Sequence, residues 1–522
     1  MKTTTKRNYE NTLLIFFIYA LLFIVFLFNF FDTDDYSMQT SYSALSIANG
    51  LDFSIHYGNG RFIGNLALYY FNFYPITRMV FKPMVLTVLI GCIIYVFEIK
   101  KLWLKIATVL LIIMPSSGFY AKCYSSNPCI MNYVAPLANV FVCFALMKII
   151  GRKKKKMRLL LYTVLFIASI CMQFYSENAT VIFLATAVFL IAYKYFTEKK
   201  FEADHIIFFI GGIIGAALMF IVPKHISYSV IGENVMSSYR QIIFNIPFAI
   251  GVVAKFAEYF STAAIWIVIF GAVLTYIVIK ESPDDKFKLW HIVFSNVYPA
   301  VCVLYKFTQT EEAKVISSVK LFLMVLMFAF LLNALIIIFR FIKDIKTKSY
   351  SVFAIFALAM SVGMFMILTL HGYRTFYLSL IIFVSLTIYL ASYIVNEYGI
   401  RLEGKVLRVL NVTAVSALLC FAVLLPLQTI QNYDVFAMRQ EYVDEKISQG
   451  EKLVYVPKVP NKNLVRDEFL HFYKDYFTAE HQDVDIVFID IEDWERFEEY
   501  QSMMDNPLTS ITYAVSHLQF SN

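Results

Sequence analysis

The chain has 522 residues, of which 59% are hydrophobic and 16% charged, against about 45–50% and about 25% in a soluble domain. With a mean hydropathy of +0.64, this composition excludes a soluble globular protein and points to a polytopic membrane protein. The formal net charge of +7 is unevenly spread: from Gln428 onward there are 18 acidic and 8 basic residues, so this stretch carries −10 and the rest +17.

The first apolar run, residues 11–31, is longer than a signal-peptide core and has no small-x-small cleavage site after it, so it reads as a transmembrane helix. It empties into Asp32-Thr33-Asp34-Asp35-Tyr36. Desolvating a carboxylate beside lipid costs several kcal/mol, so such a cluster marks either a site or a solvated helix flank. The loop that follows, 32–78, carries Gly58-Asn59-Gly60-Arg61-Phe62 and then an apolar stretch at 63–74 with the character of an interfacial helix. Further spans are expected at 79–98, 102–115, 131–150, 159–175, 179–196, 205–223, 260–280, 289–305, 319–341, 350–370, 375–395 and 408–427, about 13 in all.

The basic flanks test this scheme. Lys100 and Lys101, the run Arg152 to Lys156, Lys199 and Lys200, Lys343, Lys346 and Lys348, and Arg401, Lys405 and Arg408 all fall on one side if the N-terminus is cytoplasmic. The Arg152 to Lys156 run lies beside a span and reads as a topology determinant, so no nucleic-acid partner is expected. An odd number of spans then puts the acidic tail outside. In that tail, residues 453–457 and 484–490 have strand character and 463–476 and 494–504 helix character, which gives a small α/β unit. The expected architecture is an all-α polytopic region over 1–427 and a small extracytoplasmic α/β domain over 428–522.

No Walker or dinucleotide glycine pattern and no zinc spacing is present, which argues against nucleotide hydrolysis. Cys123 and Cys129 share a loop, but spacing alone establishes no disulfide. On the outer side gather Lys122, Asn132-Tyr133, a tight Ser176-Glu177-Asn178 turn and His371-Gly372-Tyr373-Arg374. Carboxylates, separated cations and a lipid-accessible groove are what a lipid-phosphate-sugar transferase requires. A carboxylate, Asp34 or Asp35, takes the acceptor's proton or holds a divalent ion such as Mg2+ or Mn2+, with Glu177 as a second acid. Cations neutralise the departing phosphate, with Arg61 and Arg374 first and Lys122 next.

The order Asp34-Asp35-Tyr36, Asn59-Gly60-Arg61, Asn132-Tyr133, Ser176-Glu177-Asn178 and Arg374 resembles a large bacterial family of uncharacterised membrane proteins near the GT-C superfamily of integral-membrane glycosyltransferases. The resemblance spans about residues 10 to 400. It implies a multi-span helical fold in the bacterial plasma membrane, a polyprenyl-phosphate-sugar donor, an envelope glycan acceptor and inverting transfer. It makes Asp34 and Asp35 the catalytic base or metal ligands, and Tyr36, Asn59, Asn132, Tyr133, Asn178 and Tyr373 substrate-binding. Two other classes compete: a transporter or flippase for a lipid-linked glycan, which needs no proton abstraction, and a non-catalytic scaffold for envelope assembly.

Overall fold

A computed structural model of the chain describes residues 2–29, 61–221, 245–281, 285–308, 317–366, 373–397, 404–465 and 484–518. Among these the molecule is a helical bundle. Its helices are α1 Lys2–Leu27, α2 Phe62–Phe73, α3 Pro75–Val96, α4 Leu102–Ile113, α5 Ser117–Cys123, α6 Asn127–Ile150, α7 Lys155–Cys171, α8 Glu177–Glu198, α9 Ala203–Phe220 and α10 Ile246–Ser261. They continue with α11 Ala264–Glu281, α12 Lys288–Thr308, α13 Ser317–Phe341, α14 Ile345–Gly363, α15 Tyr373–Glu397 and α16 Lys405–Ser448.

Ten of these helices are long and apolar enough to cross a membrane: α1, α3, α6, α8, α9, α11 and α13 to α16. The other three expected spans coincide with helices that are shorter or more polar. At 1.5 Å per residue, α4 with 12 residues and α7 with 17 reach about 18 and about 26 Å, against a hydrocarbon core of about 30 Å. The 21-residue α12 is long enough, but Lys288, His291, Asn296 and Lys306 dilute its apolar surface.

Ion pairs and ring contacts sort the helix ends into two groups. At one end Glu98 meets Lys148 at 2.8 Å and Arg152 at 3.1 Å, Arg340 meets Asp285 at 3.0 Å, and Lys343 meets Glu281 at 2.8 Å. Phe97, Tyr389, Tyr350 and Tyr193 join these flanks ring to ring. The basic flanks therefore share one end. At the other end Phe119 and Tyr259 pack on Tyr373, Ser116 Oγ lies 3.1 Å from Thr262 Oγ1, and Lys320 pairs with Glu258 at 2.8 Å. Because the residues flanking α4, α7 and α12 lie at opposite ends (Glu98 and Ser116, Arg152 and Glu177, Asp285 and Lys320), these three also run between the two.

Helix α16 has 44 residues, or about 66 Å, roughly twice the hydrocarbon thickness. It passes unbroken through Pro426, so positions 427 and 428 lie inside one helix. Its second half leaves the bundle at the end that holds Tyr373. There it becomes the spine of the C-terminal unit. Strand β1 (Leu453–Pro457) pairs in parallel with β2 (Asp485–Ile489), Leu453 opposite Asp485. Val454, Val456 and Ile486 point inward onto Val435, Met438, Tyr442 and Val443 of α16, and α17 (Phe497–Met504) and α18 (Pro507–Ser516) close the same core. Phe28, just past α1, meets Tyr433 edge-on at 5.9 Å and ties this unit to the bundle.

Candidate functional site

Arg61 immediately precedes α2, and Glu177 lies in the first turn of α8, just after the turn that ends α7. Both are largely buried, and Arg61 Nε and Nη2 donate to Glu177 Oε2 at 3.2 and 2.8 Å. The Tyr133 hydroxyl also lies at the guanidinium. Two approaches hold α2 in this position. Gly64 N donates to Phe174 O at 3.2 Å, and a Cβ on Gly64 would lie 2.3 Å from Asn132 Oδ1. Only a glycine admits the Asn132 carboxamide so closely.

Asn132 and Tyr133 sit in a π-helical turn, Ile130–Val134, near the start of α6. Such turns are rare and recur at functional sites because the extra residue re-aims its neighbours. Asn132 and Asn178 are both buried, and neither Oδ1 has a hydrogen-bond partner among the described residues. A few residues before this turn, Lys122 places its ammonium 5.1 Å from the centre of the Tyr373 ring, which lies against Gly118. Arg374 follows Tyr373 in the first turn of α15, half-buried.

The structure thus brings Arg61, Asn132, Tyr133 and Glu177 into one cluster, with Asn178 beside it in sequence, and Lys122 and Tyr373 into a second at the same end. Asp34, Asp35, Tyr36 and Asn59 lie outside the described residues. No protein-family model matches the chain, and no curated protein matches it.

Sequence reasoning missed two cations on α3. Arg78 and Lys82 are one turn apart and both buried, Lys82 to 1% exposure. Lys82 Nζ donates to Ser125 O at 2.6 Å, Asn29 Nδ2 donates to the same carbonyl at 2.8 Å, and the Phe26 ring lies 5.5 Å from the ammonium. The signal was present: a lysine inside the 79–98 apolar run is an intramembrane charge, itself a marker of function. Between this corner and the C-terminal unit is a small cavity lined by Phe28, Asn29, Ser125, Thr429, Asn432 and Leu464.

The expected metal ligands Asp34 and Asp35 are among the residues outside the described ones. Among the described residues, the His and carboxylate groups close enough to share an ion are Glu202, Asp204 and His205, at the end that carries the basic flanks.

Proposed function

We propose that this chain is a GT-C-type glycosyltransferase of the bacterial plasma membrane, working at the face where Arg61, Lys122, Tyr133, Glu177 and Tyr373 converge. That face is the outer one in this reading, with the N-terminus and the basic flanks inside, as the positive-inside rule requires. The observation that carries the reading is the convergence itself. Residues far apart in sequence meet at one end of the bundle, opposite the basic flanks, and they supply cations, a carboxylate, carboxamides and aromatic rings.

The donor is a sugar on a polyprenyl phosphate and the acceptor an envelope glycan hydroxyl. Asp34 or Asp35 removes the hydroxyl proton as the acceptor oxygen bonds to the anomeric carbon, and the bond from that carbon to the phosphate oxygen breaks. The lipid phosphate leaves with the extra negative charge, which nearby cations stabilise. A divalent cation such as Mg2+ or Mn2+, if used, would be held by Asp34 and Asp35 and would offset the same charge. Two donors of Arg61 already serve Glu177, so this pair orients the site; of the other cations expected at the phosphate, Arg374 comes first and Lys122 next.

The test is sugar transfer from a polyprenyl-phosphate donor in proteoliposomes, wild type against Asp35→Asn and Asp34→Asn. Loss of a carboxylate base is expected to slow transfer by about 10²–10⁴-fold. Wild-type rates in both folded variants would remove the catalytic assignment.

A further inference from the structure

The turn between α8 and α9 gathers three metal-ligating side chains. Glu202 is the N-cap of α9, Asp204 lies in its first turn and His205 follows. One donor atom from each, a carboxylate oxygen or a ring nitrogen, lies within 4.8 Å of the others. Asp204 and His205 are buried, at 7% and 8% exposure, and Glu202 is half-buried.

The helix dipole favours carboxylates at an N-terminus, so the two acidic residues alone would mean little. His205 is the second observation. Its Nδ1 is buried and has no hydrogen-bond partner among the described residues. It faces Asp204 Oδ1 at 3.5 Å, beyond the usual range of about 2.7–3.2 Å for a hydrogen bond. That oxygen accepts a bond from the His205 backbone N–H at 3.0 Å instead. A ring nitrogen so placed is costly to bury unless something bonds it. Yet 3.5 Å is close to the edge of a tetrahedron around an ion with ligands at about 2.0–2.1 Å, an edge of about 3.4 Å.

The surrounding charges fit a cation. Lys194 Nζ lies 3.2 Å from Glu202 Oε1 and 2.7 Å from Glu198 Oε1, so it keeps an anionic partner when Glu202 turns to an ion. Two carboxylates neutralise a divalent charge and offset the opposition of the helix dipole. One imidazole with two carboxylates selects a transition ion, because Mg2+ and Ca2+ take shells of oxygen and Cu(I) takes sulfur. Three protein ligands leave one position open for water.

We propose that Glu202, Asp204 and His205 bind a divalent transition-metal ion such as Zn2+ where α9 begins, at the end that carries the basic flanks. The site uses neither Asp34 nor Asp35 and does not rest on the transferase reading.

The experiment titrates Zn2+, against a chromophoric chelator, into the full chain in detergent without a histidine tag. Wild type and the Asp34→Asn, Asp35→Asn double variant should share one bound equivalent. His205→Gln and Glu202→Gln should each weaken it by at least about 10-fold, and Mg2+ in about 10-fold excess should not displace it. If His205→Gln does not fold, Glu202→Gln, at a half-buried cap, decides alone. Absence of zinc uptake by folded wild type overturns the proposal, as does uptake that folded Glu202→Gln leaves unchanged. Uptake that disappears with Asp34 and Asp35, or that Mg2+ displaces, overturns it as well.

Discussion

The Arg61–Glu177 pair joins two residues 116 positions apart and fastens α2 to the turn between α7 and α8. Removing one partner leaves a largely buried charge, so Glu177→Gln and Arg61→Gln should each cost about 1–3 kcal/mol. The double variant should lose less than the two together, which a thermal-unfolding cycle in detergent would measure. Gly64→Ala should also destabilise, by about 1–3 kcal/mol, because its methyl would meet Asn132 Oδ1; Asn132→Ala in the same chain should restore much of the loss. The C-terminal unit has its own weak point. Asp434, beyond the apolar part of α16, is fully buried; Ser510 Oγ donates to Oδ2, and Oδ1 has no partner among the described residues. Burial pushes this carboxyl up to about 7, against the opposing effect of Ser510 and His517. The folded state thus holds a proton that the unfolded chain releases near pH 4. Stability of this unit is fully present below about pH 4 and falls as pH rises towards about 7. Tyr500 and Tyr513 also face the carboxyl, and His517 pairs with Glu441, so the informative quantity is the difference between wild type and Asp434→Asn. The variant should show a flatter dependence of protease resistance on pH, and equal slopes would refute the assignment.

At the scale of elements, hydrophobic runs of membrane length were legible because a span is defined by its mean composition. Ten expected segments coincide with helices long and apolar enough to cross, and the apolar stretch at 63–74 is α2. Strand β1 occupies the residues expected, since alternating buried positions such as Val454 and Val456 write a period of two into the sequence. The same averaging hid what departs from the mean. Lys82 was absorbed into a span because one charge barely lowers the hydropathy of twenty residues, although its burial against Ser125 makes it the more telling position. The Arg61–Glu177 contact was invisible because no local pattern relates two loops so far apart. The π turn at Ile130–Val134 has no compositional mark either. Deleting Met131 should convert that turn to regular helix and swing Asn132 by about 100° away from Gly64. The expected readout is lost donor binding or transfer with the helix content unchanged by circular dichroism.

For the whole molecule, the two ends make a prediction about sidedness. In a chain otherwise free of accessible cysteine, Tyr74→Cys and Lys154→Cys should react with a membrane-impermeant maleimide from opposite sides, since Tyr74 caps the start of α3, whose far end leads to Glu98, and Lys154 lies with the basic flanks. Labelling from the same side would invalidate the topology. The long α16 has a different kind of consequence. A continuous helix that begins at the basic end and finishes inside the C-terminal unit acts as a shaft, with one half laid along the outside of the bundle and the α/β unit keyed to the other. On such a shaft, height and heading are not independent. One residue inserted between Val423 and Leu424, both exposed, would raise the unit by about 1.5 Å and also turn it by about 100°. Phe28 would then lose Tyr433, while a seven-residue insertion would lift the unit about 10 Å with almost no net rotation. The sequence of α16 thus sets the direction in which the C-terminal unit looks across the membrane surface as strictly as it sets its distance from that surface.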